Sequence, residues 1–320
     1  MLSDSKGMLF LNYIANRLLQ MVPVVFGVSL VGFFAIHLVP GDPIQIMMHG
    51  RATAETVAAV RAELGLDRPL LEQYGHFVAY AVAGDFGQSI VQKQAVGSIV
   101  GERVLPTVLL LLFSTVLAIV IALPLALVAA RYSDRLLDHA IRLGGMIGFA
   151  MPSFWVGLLL MLFFGLYLNW FPVSGLGDGF LDRAQHLFLP SATIALFLAP
   201  ILVQSLRSAM LDVMTADHIE VARAKGLTPR RILLKHVLRN ALIPVITILA
   251  VNIGWLLSGT VVVEYVFSYP GLGSLLVRAV SYRDYPVIQA LSVVFAVLVI
   301  AVNLLADLSY ILVDRRVLRT

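Results

Sequence analysis

Residues 212–244 read DVMTADHIEVARAKGLTPRRILLKHVLRNALIP. This polar, basic stretch lies between two long apolar runs. Arg207, Arg223, Lys225, Arg230, Arg231, Lys235 and Arg239 sit in it or beside it. So many cations cannot rest in hydrocarbon, and basic loops of membrane proteins stay on the cytoplasmic side. The stretch also carries helix punctuation. Asp217 with Glu220 three residues on has the form of a capping box, and Gly226 suits the left-handed position just past a helix end. Thr228 suits an N-cap, and Pro229 fits the first turn of the next helix, where its missing N–H costs nothing. The expectation is two short helices joined at Gly226, folded to touch a partner. Arg231, Lys235 and Arg239 recur every four residues, and that stripe reads as a collar reaching lipid headgroups.

Outward from this segment the chain is apolar. It is 59% hydrophobic and 13% charged, against about 25% charged in a soluble domain. Six stretches hold no Asp, Glu, Lys or Arg: 18–41, 104–130, 143–177, 184–206, 240–263 and 285–306. Each reaches the roughly 20 residues that cross about 30 Å of hydrocarbon. The expectation is an all-α, polytopic membrane protein with six transmembrane helices. The run 184–206 is the weakest, with Gln185, His186, Pro190 and Pro200. The first run is longer than a signal-peptide core and lacks an A-x-A site, so it is expected to be retained. There are no cysteines, which excludes disulfides and thiolate metal sites.

Six spans place both termini on one side. With the 131–142 and 207–239 loops, that side holds 15 of the 23 Lys and Arg. Of the other eight, five lie in the long loop 42–103, and long loops cross largely regardless of charge. The side with the termini is therefore read as cytoplasmic. The expected organisation is a tail 1–17, a span 18–41, an extracytoplasmic segment 42–103, a five-helix core 104–311 containing the loop 212–240, and a tail 312–320.

Segment 42–103 is too long for a bare connection. Thr53 is placed to cap a helix toward Gly65, with Ala54, Val57, Val60 and Leu64 on or near one face. A second helical pattern follows Asp67-Arg68-Pro69, with Leu70, Leu71, Tyr74, Phe77 and Val78, and Gly84-Asp85-Phe86-Gly87 breaks it. The segment reads either as a lid or as a dock for an external partner.

The chain has no G-x-x-x-x-G-K-[ST], no H-E-x-x-H and no G-x-S-x-G, so nothing marks it as an enzyme or as an ATP binder through a P-loop. His37 reads as a packing residue, and Met47-Met48-His49 do not converge as ligands. Glu264 and Asp307 lie near the ends of spans, a poor kit for ion coupling, which needs buried carboxylates or histidines. If the chain moves a solute uphill, another subunit supplies the work. Polar candidates for a path are Ser114, Thr115, Ser153, Asn169, Thr193, Gln204, Asn252, Ser258 and Asn303, or else these bond between helices. Pro124, Pro152, Pro190, Pro200 and Pro244 either kink or end helices.

The segment HIEVARAKGL followed by HVLRNALIP resembles the cytoplasmic EAA loop of ABC-importer permeases. Glu220, Val221 and Ala222 stand where that family has E-A-A, with Val221 a departure, and Gly226 stands for its glycine. Pro244 comes later than in the sugar-permease form, and Ala222 to Leu227 with His236 to Pro244 match the peptide/nickel branch. Pro40-Gly41-Asp42-Pro43, Gly84 to Ser89 (GDFGQS), Met151 to Trp155 (MPSFW), Glu264 to Gly273 (EYVFSYPGLG) and Asp284 to Gln289 (DYPVIQ) resemble further motifs of that branch, in order along nearly the whole chain.

The resemblance implies a type I ABC importer permease fold in the bacterial inner membrane, multi-pass, with both termini cytoplasmic. It implies a second homologous permease, two ATPase subunits and an extracytoplasmic substrate-binding protein as partners, with membrane lipid around them and no nucleic acid. ATP would be hydrolysed by the partner, and this chain would bind no cofactor. Glu220, Ala222, Arg223, Ala224, Lys225 and Gly226 would form the ATPase-coupling loop. Asp42, Asp85 and Asp284 would belong to the surface that receives the binding protein. The cargo is expected to be di- or oligopeptides, with nickel or another small solute as the alternative. A secondary transporter and a non-transporting scaffold are the rival classes.

Overall fold

Four of the charge-free runs, 104–130, 184–206, 240–263 and 285–306, fall in long helices. The computed structural model describes residues 19–34, 53, 55, 57–58, 61 and 67–313. Among these the chain is almost wholly helical, with one isolated β-bridge between Gln88 and Ala95. The helices are α1 (Leu19–Phe34), α2 (Leu70–Val82), α3 (Val96–Arg131), α4 (Leu136–Ala150), α5 (Ser153–Leu160, continued by a π-wound Met161–Tyr167), α6 (Phe180–Met214) and α7 (Asp217–Ala224). Next comes α8, which opens at Pro229–Arg231, is π-wound over Ile232–Val237 and runs on through Leu238–Val266, and then α9 (Leu272–Tyr282) and α10 (Tyr285–Val313).

Among the described residues, three helices are long and apolar enough to cross a membrane: α3, α6 and the Tyr285–Leu305 part of α10. Taken together as one broken span, α4 and α5 make a fourth. That is fewer among the described residues than the six expected from the sequence. The run 143–177 is bent by 103° between α4 and α5. Pro152 is the cause, because a residue before proline is pushed out of the helical region, and Met151 is extended at φ −79°, ψ 140°. Of the first run, residues 19–34 are described, and they are helical. The fifth coincides with α8, whose Leu238–Val266 stretch has 29 residues.

The chain divides into two compact units, residues 1–107 with 270–300, and residues 108–269 with 301–320. In the first, α2 lies on α1. The Tyr74 and Ser29 hydroxyls are 2.9 Å apart, and the Tyr74 ring stands edge-on to Phe26 and Phe33 at 5.8 and 5.4 Å. Tyr74, Phe77 and Val78 turn inward as the pattern predicted, whereas Leu70 and Leu71 are exposed. Of the expected helix from Thr53, the Val57 N–H donates to the Thr53 carbonyl at 3.0 Å. Val60, Leu64 and Gly65 lie outside the described residues, as do His37, Met47 to His49 and the Pro40–Pro43 motif. A further apolar cluster joins Val96, Ile99 and Val100 of α3 to Leu272 and Leu275 of α9 and Val287 and Leu291 of α10.

The second unit centres on α6, the run that looked weakest as a span. Of its apolar window 61% is buried, against 28% for α3 and 22% for α10. Its prolines, Ser191 and Thr193 suit a helix enclosed by protein, where neighbouring helices shield the interrupted backbone. Helix α4 packs on it antiparallel. A Cβ on Gly145 would stand 3.1 Å from Pro200 Cβ, and the Arg207 guanidinium meets the Asp138 carboxylate. Gly145→Leu is therefore expected to push the two helices apart and destabilise the chain by about 1–3 kcal/mol, the usual range for overpacking. Thermal unfolding in detergent measures it.

Candidate functional site

The elbow between α6 and α8 is built from the 212–244 segment. After α6 the chain turns at Thr215-Ala216 and enters α7. Ala216, extended at φ −77°, ψ 144°, occupies the N-cap position, and no side chain caps this end. The expected capping box is therefore not formed. Asp217 and Glu220 fall inside the first turn, where carboxylates favour the positive end of the helix dipole. At the other end Gly226 has φ +73°. The Leu227 N–H donates to the Ala222 carbonyl at 3.3 Å, and the Gly226 N–H to the Arg223 carbonyl at 2.9 Å. These two bonds define a Schellman end, which requires a left-handed residue where the glycine stands. Thr228 and Pro229 take the N-cap and first-turn positions predicted for them, although the Thr228 hydroxyl makes no capping bond.

One face of α7 is fixed and the other is free. Ile219 is fully buried and Ala222 nearly so, in one cluster with Leu206 and Met210 of α6 and Ile232, Val237 and Ala241 of α8. The π-winding over Ile232–Val237 makes this possible. Residues five apart sit far round an α-helix, but i→i+5 winding brings them near one face. Asp217, Glu220, Arg223, Ala224, Lys225 and Gly226 are exposed, and Val221 is 53% exposed. The elbow thus offers a short, stiff helix pinned by Ile219, with an apolar residue among charges on its outer side. Ile219→Ala is expected to cost about 2–5 kcal/mol locally, as for other large-to-alanine changes in cores. Faster proteolytic cleavage within 215–228 reads that out.

Beside the elbow lies an ion pair that the sequence reading did not single out. Arg207 Nε donates to Asp138 Oδ1 at 2.7 Å and Arg207 Nη2 to Asp138 Oδ2 at 2.5 Å. The Ser133 hydroxyl accepts from Nη2 at 3.1 Å, and the Asp134 N–H donates to Asp138 Oδ2 at 2.9 Å. Asp138 is fully buried. The only hint in the sequence was an acid at the start of the run after 131–135 and a base at the end of the run ending at 206.

The acids expected at the outer surface fare differently. Asp42 lies outside the described residues. Asp85 is exposed, and its Oδ1 accepts the Gly87 N–H at 2.9 Å. Asp284 is 3% exposed. Its carboxylate accepts the Ser89 hydroxyl and the Ile90 and Val91 N–H groups, the last two at 3.0 and 3.3 Å. A carboxylate so occupied holds its own chain together. Glu264, expected as a peripheral acid, is fully buried in the last turn of α8, and the side chain of Asp307 lies outside the description.

Of the polar path candidates, Ser114, Thr193 and Asn252 donate within their own helices, to the Leu110, Leu189 and Ile248 carbonyls at 2.6, 2.9 and 2.7 Å. Gln204 and Ser258 are exposed.

Residues 122–319 match the family described as "Binding-protein-dependent transport system inner membrane component". The chain belongs to this family. Residues 10–112 match its companion, "Binding-prot-dependent transport system membrane comp, N-term". The permease is 39% identical over 300 residues to the glutathione transport system permease protein GsiC of Escherichia coli K12, covering 94% of this chain and 96% of that one. The figures for GsiC of Salmonella typhi are the same.

The fold agrees. The MetNI methionine ABC transporter, in inward-facing conformations, overlays with a TM-score of 0.56 at 19% identity, covering 68% of this chain and 96% of the other. An amino acid ABC transporter crystallised with histidines gives 0.50 at 14% identity, covering 67% and 93%. The protein is a permease subunit of an ABC importer, a multi-pass inner-membrane protein. ATP is hydrolysed on separate subunits of such importers. The elbow is where the resemblance in sequence and the exposed geometry coincide.

Proposed function

We propose that this permease pairs with a second, homologous permease and two ATPase subunits to import di- or oligopeptides delivered by an extracytoplasmic binding protein. It crosses the membrane six times, with both termini and the elbow in the cytoplasm. The distribution of Lys and Arg supports the orientation. The likeness to GsiC supports the cargo, since glutathione is itself a small peptide.

The observation that carries the mechanism is the pinned helix α7. It is anchored by Ile219 and Ala222 to α6 and α8 at once. A push on its exposed face from a closing ATPase is therefore delivered to both helices, and no group of this chain needs to carry chemistry. Glu220, Arg223, Ala224, Lys225 and Gly226 form the face that the ATPase grips, with Ala222 beneath it. The solute path runs against α8. There Val251, Trp255, Ser258 and Val262 form an exposed stripe, with Trp255 81% exposed. A polar residue and a large aromatic side by side suit a peptide's mixed surface.

The test is co-purification and transport. Tagged permease is expected to bring down an ATPase whose hydrolysis rises with peptide-loaded binding protein, and reconstituted vesicles should accumulate labelled dipeptide. Isolation without an ATPase, or accumulation of nickel but not peptide, would count against this reading.

A further inference from the structure

We propose that the start of α4 is a binding site for anionic phospholipid, with Arg131, Arg135 and Arg142 on the headgroup and Leu136, Leu143 and Ile147 along the acyl chains. The site needs only the membrane location and stands apart from the cargo and the ATPase. In a 3.6-residue helix, positions 135, 139 and 142 share one face, and positions 136, 143 and 147 share the next. The second of these is the outermost ridge of α4. It lies opposite Asp138 and Gly145, which meet Arg207 and Pro200 of α6. Leu136 is 85% exposed, and Leu143 and Ile147 are exposed as well. An aliphatic ridge flanked by cations suits a helix that lies at the boundary between headgroups and acyl chains.

The guanidinia beside this ridge lack carboxylates of their own. Asp138 is fully buried and gives both oxygens to Arg207. Arg142 Nε stands 3.8 Å from Asp138 Oδ1, enclosed and without a hydrogen bond among the described residues. Arg142 Nη2 donates to His139 Nδ1 at 2.7 Å, and an imidazole that accepts in this way is uncharged. Arg131 rests over the Tyr132 ring, 5.8 Å from its centroid. Arg131 and Arg135 are exposed, and neither enters an ion pair among the described residues. The acid left beside them is Asp134, which is exposed and 4.0 Å from Arg207. The cluster therefore carries an excess of positive charge, and the guanidinium fork matches the oxygens of a phosphate.

Charge and hydrocarbon lie along the same turns, and that favours a lipid over a protein partner. A phospholipid offers a phosphate with acyl chains directly beneath it. The ridge from Leu136 to Ile147 rises about 16 Å at 1.5 Å per residue, roughly half of the hydrocarbon core. Asp138, on the inner side of the same helix, joins α4 to Arg207 near the end of α6. A lipid held here therefore steadies the helix that leads into the elbow.

The test compares how strongly spin-labelled phosphatidylglycerol and spin-labelled phosphatidylcholine are immobilised on the purified complex in phosphatidylcholine vesicles. The wild type is expected to prefer phosphatidylglycerol on the order of tenfold at low salt, about 1.4 kcal/mol, and less at high salt. Arg135→Gln with Arg142→Gln should remove most of that preference. Arg131→Gln with Arg135→Gln alters only exposed side chains, should do the same, and remains informative where the first variant gives little protein. No preference in the wild type, or an unmoved preference in the second variant, would overturn the site. Loss of the preference to inorganic phosphate, beyond that caused by chloride at equal ionic strength, would mark a site for soluble anions and overturn the lipid. An unmoved preference together with weaker recovery of the ATPase would assign the cluster to that subunit and overturn it too.

Discussion

Gly226→Val is expected to reduce ATP-driven uptake by about tenfold or more while the chain stays in the membrane at normal abundance. The residue holds φ +73°, and a Cβ built there meets nothing within 4 Å. The penalty is therefore in the backbone and not in crowding. Left-handed backbone costs an L-residue with a Cβ about 1–2 kcal/mol, and β-branched residues tolerate it least. That is enough to open the two bonds from Leu227 and Gly226 that end α7, and 1.4 kcal/mol is about a factor of ten in a conformational population. Once α7 frays, the exposed Arg223 and Lys225 lose their fixed direction, and a push on the elbow is absorbed rather than transmitted. Asparagine, which visits the left-handed region more readily, should be milder. Uptake and ATPase rates per mole of complex check this, and normal uptake by the valine variant at normal abundance would contradict it.

Removing Asp138 is expected to have the largest effect on stability. Asp138→Ala leaves Arg207, which is only 13% exposed, with the Ser133 hydroxyl and, at 4.0 Å, the exposed Asp134 carboxylate as its remaining partners. Breaking one side of a buried pair costs about 3–5 kcal/mol, whereas replacing both partners by apolar residues is often neutral or better. The single variant should melt well below wild type in detergent and accumulate poorly. The double variant Asp138→Leu with Arg207→Met should recover most of the lost melting temperature. High salt should change little, because screening acts weakly on buried charges. A single variant as stable as wild type would show the pair to be dispensable.

The elbow was legible because its determinants are local. Gly226 and the Thr228-Pro229 step follow from chain-end geometry that neighbouring residues fix. The start of α7 was misread by one residue, since Asp217 and Ala216 compete for the same position and tertiary burial of Ile219 decides between them. The π-winding was not legible. Ile232, Val237 and Ala241 are spaced five and then four apart, a pattern with no single α-helical face, and it becomes a face only once the winding is known.

The long helices were legible from the absence of charge, but their surroundings were not. The Pro190 and Pro200 that made 184–206 look weak mark it as an enclosed helix, and the 103° bend after Ala150 was signalled by Pro152 without its direction. Asp284 shows the limit of reading along a chain. The resemblance implied an outer contact for it, and its partners Ser89, Ile90 and Val91 lie too far away in sequence for any local pattern to reveal.

The central claim is that this chain is a passive gate driven through α7 by another subunit. Sealed vesicles test it most directly, with labelled dipeptide and loaded binding protein supplied on the outer face. The permeases with their ATPases should accumulate the label only when ATP is present on the elbow side, and this chain alone under an imposed proton or sodium gradient should accumulate none. Accumulation by the chain alone on an ion gradient, without ATP, would contradict the claim.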